Sequence, residues 1–185
     1  MPQIFAGSAA YPSEAHRPVL TIGNFDGLHH GHRHLISRLV ERANELGLPS
    51  CVYTFDPPPR VVLAPTRHQP RIQTWPDKVR IMGELGVDQV VVERFTRSFA
   101  RHPPRWFVEE ILGRRIVPKA LVLGYDFRFG RGPPGPALAG HKGRNHRFLR
   151  EHRGDYQGGC PAQNAARWEV FGSRLCPSQD SGGCR

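Results

Sequence analysis

Residues 20–34 read LTIGNFDGLHHGHRH, and this stretch decides which fold the chain adopts. A short apolar run leads into a turn of Gly, Asn and Asp, and the pattern predicts that a helix begins at about His30. The first turn of a helix has backbone N–H groups without intrahelical partners and a positive potential, so it binds phosphate groups well. The stretch therefore predicts a strand, a phosphate-binding turn and a helix.

Two histidines flank a glycine where this helix begins, in the H-x-G-H pattern of His29, Gly31 and His32. Imidazole rings at such a position can donate hydrogen bonds to phosphate oxygens as negative charge develops on them. The pattern is typical of a nucleotidyltransferase, with His29 and His32 as the catalytic residues. His30 and His34 share a helix face, but no carboxylate or cysteine is spaced to join them, so no protein-bound metal is predicted.

The glycines of the turn, Gly23 and Gly27, allow the backbone to approach a ligand closely. Three roles are open to Asp26: it caps the helix region, orients a histidine or holds Mg²⁺ indirectly. The turn has neither the Walker A pattern nor the G-x-G-x-x-G pattern, which argues against a P-loop kinase and against hydride transfer.

Strands alternate with helices along the first two thirds of the chain. The predicted strands are 18–22, 50–55, 89–93 and 119–124, and the predicted helices are 30–46, 74–86 and 103–112, with a loop over 60–73. Such alternation with short connections predicts an α/β fold with a Rossmann-like parallel sheet, buried on both faces. Ligands of such sheets bind beyond the carboxyl ends of the strands, where residues 23–32 and 124–130 are both expected to lie.

The composition changes sharply near residue 131. Residues 1–130 contain 33 Val, Ile, Leu or Met residues, whereas residues 131–185 contain four of these and ten Gly. A segment of this composition buries too little apolar area to offset the entropy that it would lose on ordering. We therefore predict a partial nucleotidyltransferase domain over 1–132 and a disordered Gly/Pro/Arg-rich tail over 133–185, so that the sheet is incomplete at its C-terminal end.

The chain carries a net charge of +10 and has a pI of about 10.3, so its field attracts anions such as nucleotides, flavin phosphates or RNA. Half of that charge, +5, lies in residues 131–185, but few aromatic residues are interleaved there, and RNA binding therefore ranks below catalysis.

Neither a secretory signal nor a membrane-spanning apolar run is visible, and the four cysteines are not closely paired. The cytoplasm is the expected compartment, with no membrane partner.

Four segments resemble the FMN adenylyltransferase module of bacterial FAD synthetases, which are usually bifunctional riboflavin kinase/FMN adenylyltransferases. They are GNFDGLHHGH at 23–32, TFDPPPR at 54–60, the segment 77–88 and GYDFRFG at 124–130. In the second segment the family commonly has a histidine where Pro58 stands. The resemblance extends over about residues 19–132.

The resemblance implies that ATP and FMN react to give FAD and pyrophosphate, with Mg²⁺ as the metal that accompanies ATP. It implies that the residues on the ATP side are Gly23, Asn24, Phe25, Asp26, Gly31, Gly124 and Asp126, in addition to His29 and His32. On the flavin side it implies Phe55, Pro57, Phe127 and Phe129. The last two alternate with Arg128, so a strand end with core-facing rings is an equally weighted alternative for them.

The pattern of the family breaks after Gly132. The family continues with a helix, a strand and a Ser/Thr-rich segment that ends in an arginine and closes over ATP, and residues 133–185 show no such segment. We hypothesise a reading-frame shift near residue 132. An uninterrupted reading frame, supported by detection of peptides from the tail, would refute this hypothesis. The missing segment is expected to impair adenylyl transfer, and no riboflavin kinase module is expected in these 185 residues.

Two alternatives stand beside FMN adenylyl transfer. One is another H-x-G-H adenylyl- or cytidylyltransferase, which acts on a pantetheine or choline phosphate. The other is a non-catalytic remnant that binds nucleotide or RNA. The segments 54–60 and 124–130 favour the flavin substrate over the first alternative, and the sparse aromatic residues of 131–185 rank the second below catalysis. The sequence does not specify an oligomeric state.

Overall fold

The computed structural model describes residues 1–12, 17–64 and 73–124, together with the backbone of residues 167–170. Six strands of these segments form one open sheet in the order β1-β4-β3-β2-β5-β6, and every neighbouring pair is parallel. The strands are β1 Gln3–Phe5, β2 Val19–Ile22, β3 Ser50–Phe55, β4 Gln89–Glu93, β5 Ala120–Leu123 and β6 Arg167–Val170. The predicted α/β class with a Rossmann-like parallel sheet is confirmed.

Helices connect these strands and lie on both faces of the sheet. They are α1 His30–Leu46, α2 Pro59–Leu63, α3 Trp75–Glu84, α4 Arg97–Arg101 and α5 Pro104–Trp106, and α5 continues directly as a π-helix over Phe107–Ile116. None of the helices in the described part of the chain is both long enough and apolar enough to span a membrane.

The core lies on both faces of the sheet because successive side chains of a strand point in opposite directions. Leu20 and Ile22 of β2 pack on one face in a cluster with Ile111 of the π-helix. Val19 of β2 packs on the other face in a cluster with Ile36 of α1. Parallel sheets need such cover on both faces, and it holds β2 firmly at the centre of the fold.

Helix α1 begins and ends at the predicted residues. Its buried stripe contains Ile36, Leu39 and Ala43, at the spacing of one helix face. Gly47 ends the helix in the left-handed conformation, with φ 62° and ψ 33°, and its N–H donates to the carbonyl oxygens of Ala43 and Asn44. Leu46 continues the apolar spacing of this face but is 37% exposed, so the buried stripe ends at Ala43.

Helix α3 begins at a capped first turn. The hydroxyl oxygen of Thr74 accepts a hydrogen bond from the backbone N–H of Asp77, which satisfies a free amide of the first turn. Val79, Ile81 and Met82 are buried, as the helical spacing predicts. This helix lies on the same face of the sheet as α1.

Several short elements were not predicted. The sequence analysis left residues 3–5 unassigned, yet they form edge strand β1, in which Ile4 is half exposed. Helix α2 occupies the start of the predicted loop, and α4 precedes the predicted third helix. Elements of three to five residues show too little hydrophobic periodicity to be recognised.

The third predicted helix does not stop at Gly113. It continues as a π-helix to Ile116, and Val117, with φ 48° and ψ 56°, ends it. Ile116 is fully buried, and this burial is worth about 1.5–3 kcal/mol. That gain exceeds the cost of about 1 kcal/mol for a glycine inside a helix, so the helix runs past the glycine.

Strand β6 lies within the segment that was predicted to be a disordered tail. It pairs with β5 in the register Ala120↔Arg167 to Leu123↔Val170. The rest of 133–185 lies outside the described residues, so the division of the chain at residue 132 stays a prediction. The same holds for RNA binding by the tail.

Cys51 lies on β3 and is a free, buried thiol. Burial raises the pKa of this thiol, which keeps it protonated and unreactive in the folded protein. Cys160, Cys176 and Cys184 lie outside the described residues.

Candidate active site

The turn between β2 and α1 lies where the order of the strands reverses. From β2 the chain proceeds to β3 and β4 on one side, whereas β5 lies on the other side of β2. Such a reversal leaves a crevice at the carboxyl ends of the two central strands, which is the ligand site of open parallel sheets. Residues 23–29 follow β2 directly, and Gly124, the first residue of the predicted segment 124–130, follows the neighbouring strand β5.

The backbone of this turn is unusual for its residue types. Phe25 has φ 48°, Gly27 has φ 80° and Leu28 has φ 31°, and the Phe25 and Leu28 side chains are both buried. A left-handed backbone is costly for Phe and Leu, so packing of the two side chains beneath α1 must hold it. The turn thus leads the chain from a buried strand into a helix N-terminus within seven residues.

The start of α1 has the properties of an anion site. His29 is the N-cap residue, and its side chain makes no capping hydrogen bond to the helix. The first turn of this described helix contains no acidic residue that would neutralise its positive potential. A ligand phosphate is therefore well matched to the backbone amides at this end of α1.

The imidazole rings of His29 and His32 stack at this helix start, with ring centroids 3.7 Å apart and planes inclined by 23°. The ring of Phe25 meets His32 edge-on at 5.3 Å and supports it from below. A Cβ atom at Gly31 would lie 3.2 Å from Cε1 of His29, so the glycine leaves room for that ring. The structure therefore brings together the three residues of the predicted H-x-G-H pattern.

Contacts from β3 and α3 hold the first residues of the turn. The backbone N–H of Gly23 donates to the carbonyl oxygen of Tyr53 at 3.0 Å. The carbonyl oxygen of Asn24 accepts from the Thr54 hydroxyl at 3.3 Å and from Nζ of Lys78 at 2.6 Å. A Cβ atom at Gly23 would lie 2.9 Å from the ring of Phe25, so this glycine permits the close packing of that ring.

Asp26 forms an ion pair with the guanidinium group of Arg60 on α2. The Asp26 side chain is 14% exposed, whereas that of Arg60 is 41% exposed. The pair joins the predicted segment 54–60 to the predicted segment 23–32. The described residues therefore show Asp26 as part of the contact between the two segments.

The segment after β3 lies beside an aromatic cluster. Phe55 is half-buried and packs edge-on against Tyr53 and Phe95, with ring centroids 5.4 Å apart in each case. Phe99 of α4 adds a further ring, 6.1 Å from Phe55. Pro57, also half-buried, follows a cis peptide bond with Asp56. Phe55 and Pro57 are predicted site residues, whereas no local pattern relates Phe95 and Phe99 to β3, so these two rings were not predicted.

Three predicted site residues cannot be placed. Asp126, Phe127 and Phe129 lie outside the described residues, and only Gly124 of that segment is described, half-buried at the end of β5. Within the described ranges, no group of three or more His, Cys, Asp or Glu residues could hold a metal ion. His30 and His34 are exposed on α1.

An open parallel sheet with an H-x-G-H turn at its switch point defines the class of Rossmann-like nucleotidyltransferases. Within this class, the chain matches the family model of FAD synthetase over residues 11–152. The chain belongs to the FAD synthetase family. The match continues to residue 152, so the resemblance extends beyond Gly132, where the segment comparison had ended it.

Curated relatives agree with this family. The chain is 41% identical over 120 residues to the bifunctional riboflavin kinase/FMN adenylyltransferase of Escherichia coli (strain K12), covering 65% of this chain and 38% of that protein. It is 38% identical over 111 residues to the protein of the same name from Haemophilus influenzae, covering 60% of this chain and 36% of that protein. The chain thus spans less than two fifths of the length of these relatives.

A solved structure shows the same fold. The crystal structure of a macrolide-efflux protein from Streptococcus pneumoniae superposes with a TM-score of 0.61 and 25% sequence identity. The match covers 70% of this chain and 44% of that chain. It supports the parallel sheet with flanking helices described above.

Proposed function

We propose that the chain transfers the adenylyl group of ATP to FMN, giving FAD and pyrophosphate. The observation that carries this proposal is the stacked pair of His29 and His32 at the uncapped start of α1. The family supports it, since its curated relatives are named as FMN adenylyltransferases. The family also favours FMN over the pantetheine or choline phosphates that other H-x-G-H enzymes use.

The reaction needs positioning more than acid–base chemistry. A phosphate oxygen of FMN attacks the α-phosphorus of ATP, a new P–O bond forms, and the bond to the bridging oxygen of pyrophosphate breaks. The FMN phosphate is already anionic, so no strong base is required. The protein accelerates such a step by aligning the two phosphates and by stabilising the charge that develops on them. In this proposal His29 and His32 donate hydrogen bonds to the phosphate oxygens of ATP.

ATP is proposed to bind at the turn between β2 and α1. The residues concerned are Gly23, Asn24, Phe25, Asp26 and Gly31 in the turn and helix start, with Gly124 directly after the neighbouring strand β5 and Asp126 two residues further along the sequence. The nucleotide is proposed to arrive as MgATP, with the ion held by its phosphates and water. Magnesium bound in this way neutralises the charge of the pyrophosphate group.

The flavin is proposed to bind beside the carboxyl end of β3. Phe55 and Pro57 follow that strand, and the rings of Phe95 and Phe99 extend the apolar surface around them. Aromatic side chains give large contact areas for a flat ring system such as isoalloxazine. Phe127 and Phe129 stay predictions for the same side of the site.

An assay with paired substrates tests the function. The purified chain is incubated with MgATP and FMN, or with MgCTP and an alcohol phosphate, and the products are separated by chromatography. We expect FAD and pyrophosphate from the first pair and no transfer from the second. Transfer from CTP without FAD formation would contradict the choice of flavin. The cytoplasm is proposed as the compartment of the reaction.

Replacing Gly31 with alanine is expected to lower the rate of FAD formation by about threefold to tenfold, because catalysis depends on the precise alignment of the phosphates with their donors. The new Cβ atom would lie 3.2 Å from the ring of His29, so that ring must shift by a few tenths of an ångström relative to His32. The free energy of unfolding is expected to stay constant or rise by about 1 kcal/mol, because alanine favours the helix.

Gly113→Ala is the matched control, because this exposed glycine lies in the π-helix on the other face of the sheet. It is expected to keep full activity. Urea denaturation and initial-rate measurements on both variants check the two expectations. Full activity of Gly31→Ala would show that the position of the His29 ring does not matter.

A further inference from the structure

Lys78 is a buried lysine beneath the proposed nucleotide turn. It lies in the first turns of α3 and is only 6% exposed, although lysine side chains are almost never fully buried without polar partners. Segment comparison placed it in a helix of the family without giving it a role. A buried cation that serves only packing can be replaced at little cost by an apolar side chain, so the polar contacts of Lys78 decide whether it has a further role.

The ammonium group of Lys78 reaches the turn directly. Nζ donates to the carbonyl oxygen of Asn24 at 2.6 Å, across 54 positions of sequence. The hydroxyl of Thr54 on β3 donates to the same oxygen at 3.3 Å. The ring of Trp75, whose centroid lies 5.6 Å from Nζ, adds a cation–π contact on the helix side. Asn24 is thus held by two side chains from two different elements.

Holding this carbonyl oxygen fixes more than one atom. A trans peptide is planar, with its C=O and N–H groups pointing in opposite directions, so the Asn24 carbonyl sets the direction of the Phe25 N–H. Phe25 is also the residue with φ 48°, and its ring supports His32 at 5.3 Å. The contact with Lys78 therefore lies one peptide bond from Phe25, whose ring packs against the proposed catalytic residue His32.

We propose that Lys78 is a positioning residue for the nucleotide. Its ammonium group holds the Asn24 carbonyl oxygen and so keeps the turn in the conformation that receives the triphosphate of ATP. Its positive charge beneath the turn adds to the potential of the α1 N-terminus. The inference rests on the proposed function and adds to the site a residue that acts through the backbone of the turn rather than by contact with the reacting atoms.

Lys78→Met tests the inference, because methionine keeps most of the stem and is tolerated in cores, but lacks the ammonium group. The dissociation constant of MgATP, measured by calorimetry on the full chain, is expected to rise at least tenfold. Backbone hydrogen exchange of the peptide spanning residues 24–28, measured without ligand, is expected to become at least fivefold faster. Lys119→Met, the same change at an exposed lysine, is expected to alter neither quantity more than twofold.

Thr54→Val separates action through the carbonyl oxygen from a general effect of charge. If Lys78 and Thr54 act through the same oxygen, their effects on MgATP binding are coupled and not additive. The fold-change of the double variant is expected to differ at least threefold from the product of the single fold-changes. Agreement within twofold would overturn the positioning role. If Lys78→Met does not fold, Thr54→Val still tests whether the bonds to the Asn24 carbonyl oxygen hold the turn, because faster exchange over residues 24–28 is expected in that variant too.

The outcomes for the site and for Lys78 are distinguishable. If the wild-type chain does not bind MgATP, the proposed function fails, and the exchange measurement alone still decides whether Lys78 holds the turn. If the wild type binds MgATP while Lys78→Met binds it equally well and shows unchanged exchange, the inference about Lys78 is wrong.

Discussion

Replacing His32 with alanine is expected to lower kcat for FAD formation by at least about a hundredfold. Loss of one donor aimed at the charge of a transition state typically costs a factor of about 10² to 10³ in kcat. His32 lies at the helix start between the rings of His29 and Phe25, so few other groups are placed to substitute for it. Initial rates of FAD formation under saturating MgATP and FMN measure the effect.

His34→Ala is the matched control for this variant. His34 lies on the same helix, two residues further along, and its side chain is exposed. Its removal is expected to change the rate less than twofold and the unfolding free energy by no more than about 0.5 kcal/mol. If His32→Ala folds normally and turns over at the wild-type rate, the role proposed for His32 is rejected.

Replacing Leu20 with alanine is expected to lower the free energy of unfolding by about 2–5 kcal/mol. Leu20 is fully buried on central strand β2, where it packs with Ile111 of the π-helix and Leu121 of β5. Truncation removes apolar contacts and leaves a cavity, because the residues packed around this central strand relax only partly into the space. Urea denaturation followed by circular dichroism measures the change.

Leu46→Ala supplies the comparison with an exposed leucine. Leu46 is 37% exposed at the last residue of α1, so its truncation is expected to cost no more than about 1 kcal/mol. A loss of stability in Leu46→Ala equal to that in Leu20→Ala would contradict the placement of the core around β2.

Local patterns predicted the elements that position the site. Helix α1 has a buried stripe of three residues and a glycine stop, and both of its boundaries agree with the prediction. The four predicted strands were found within one residue at each end, because each is an apolar run bounded by Gly, Pro or polar residues. The H-x-G-H pattern then placed the histidines at the helix start, where the structure shows them stacked.

Contacts between distant residues could not be predicted in the same way. The pair of Asp26 with Arg60 spans 34 positions, and the contact of Lys78 with Asn24 spans 54. Periodicity shows which face of an element is buried, but it does not show which polar group of another element meets it. The sequence gives one indication that Lys78 is buried: it lies near the start of a predicted helix, next to Val79 on the apolar side of that helix.

Calorimetric titration of MgATP into the purified 185-residue chain tests the central claim most directly. The account predicts saturable binding at one site per chain, and it predicts that His34→Ala retains this binding while Lys78→Met weakens it. Absence of measurable affinity for ATP or any other nucleoside triphosphate, in a folded chain with magnesium present, would contradict the claim that the turn between β2 and α1 receives a nucleotide.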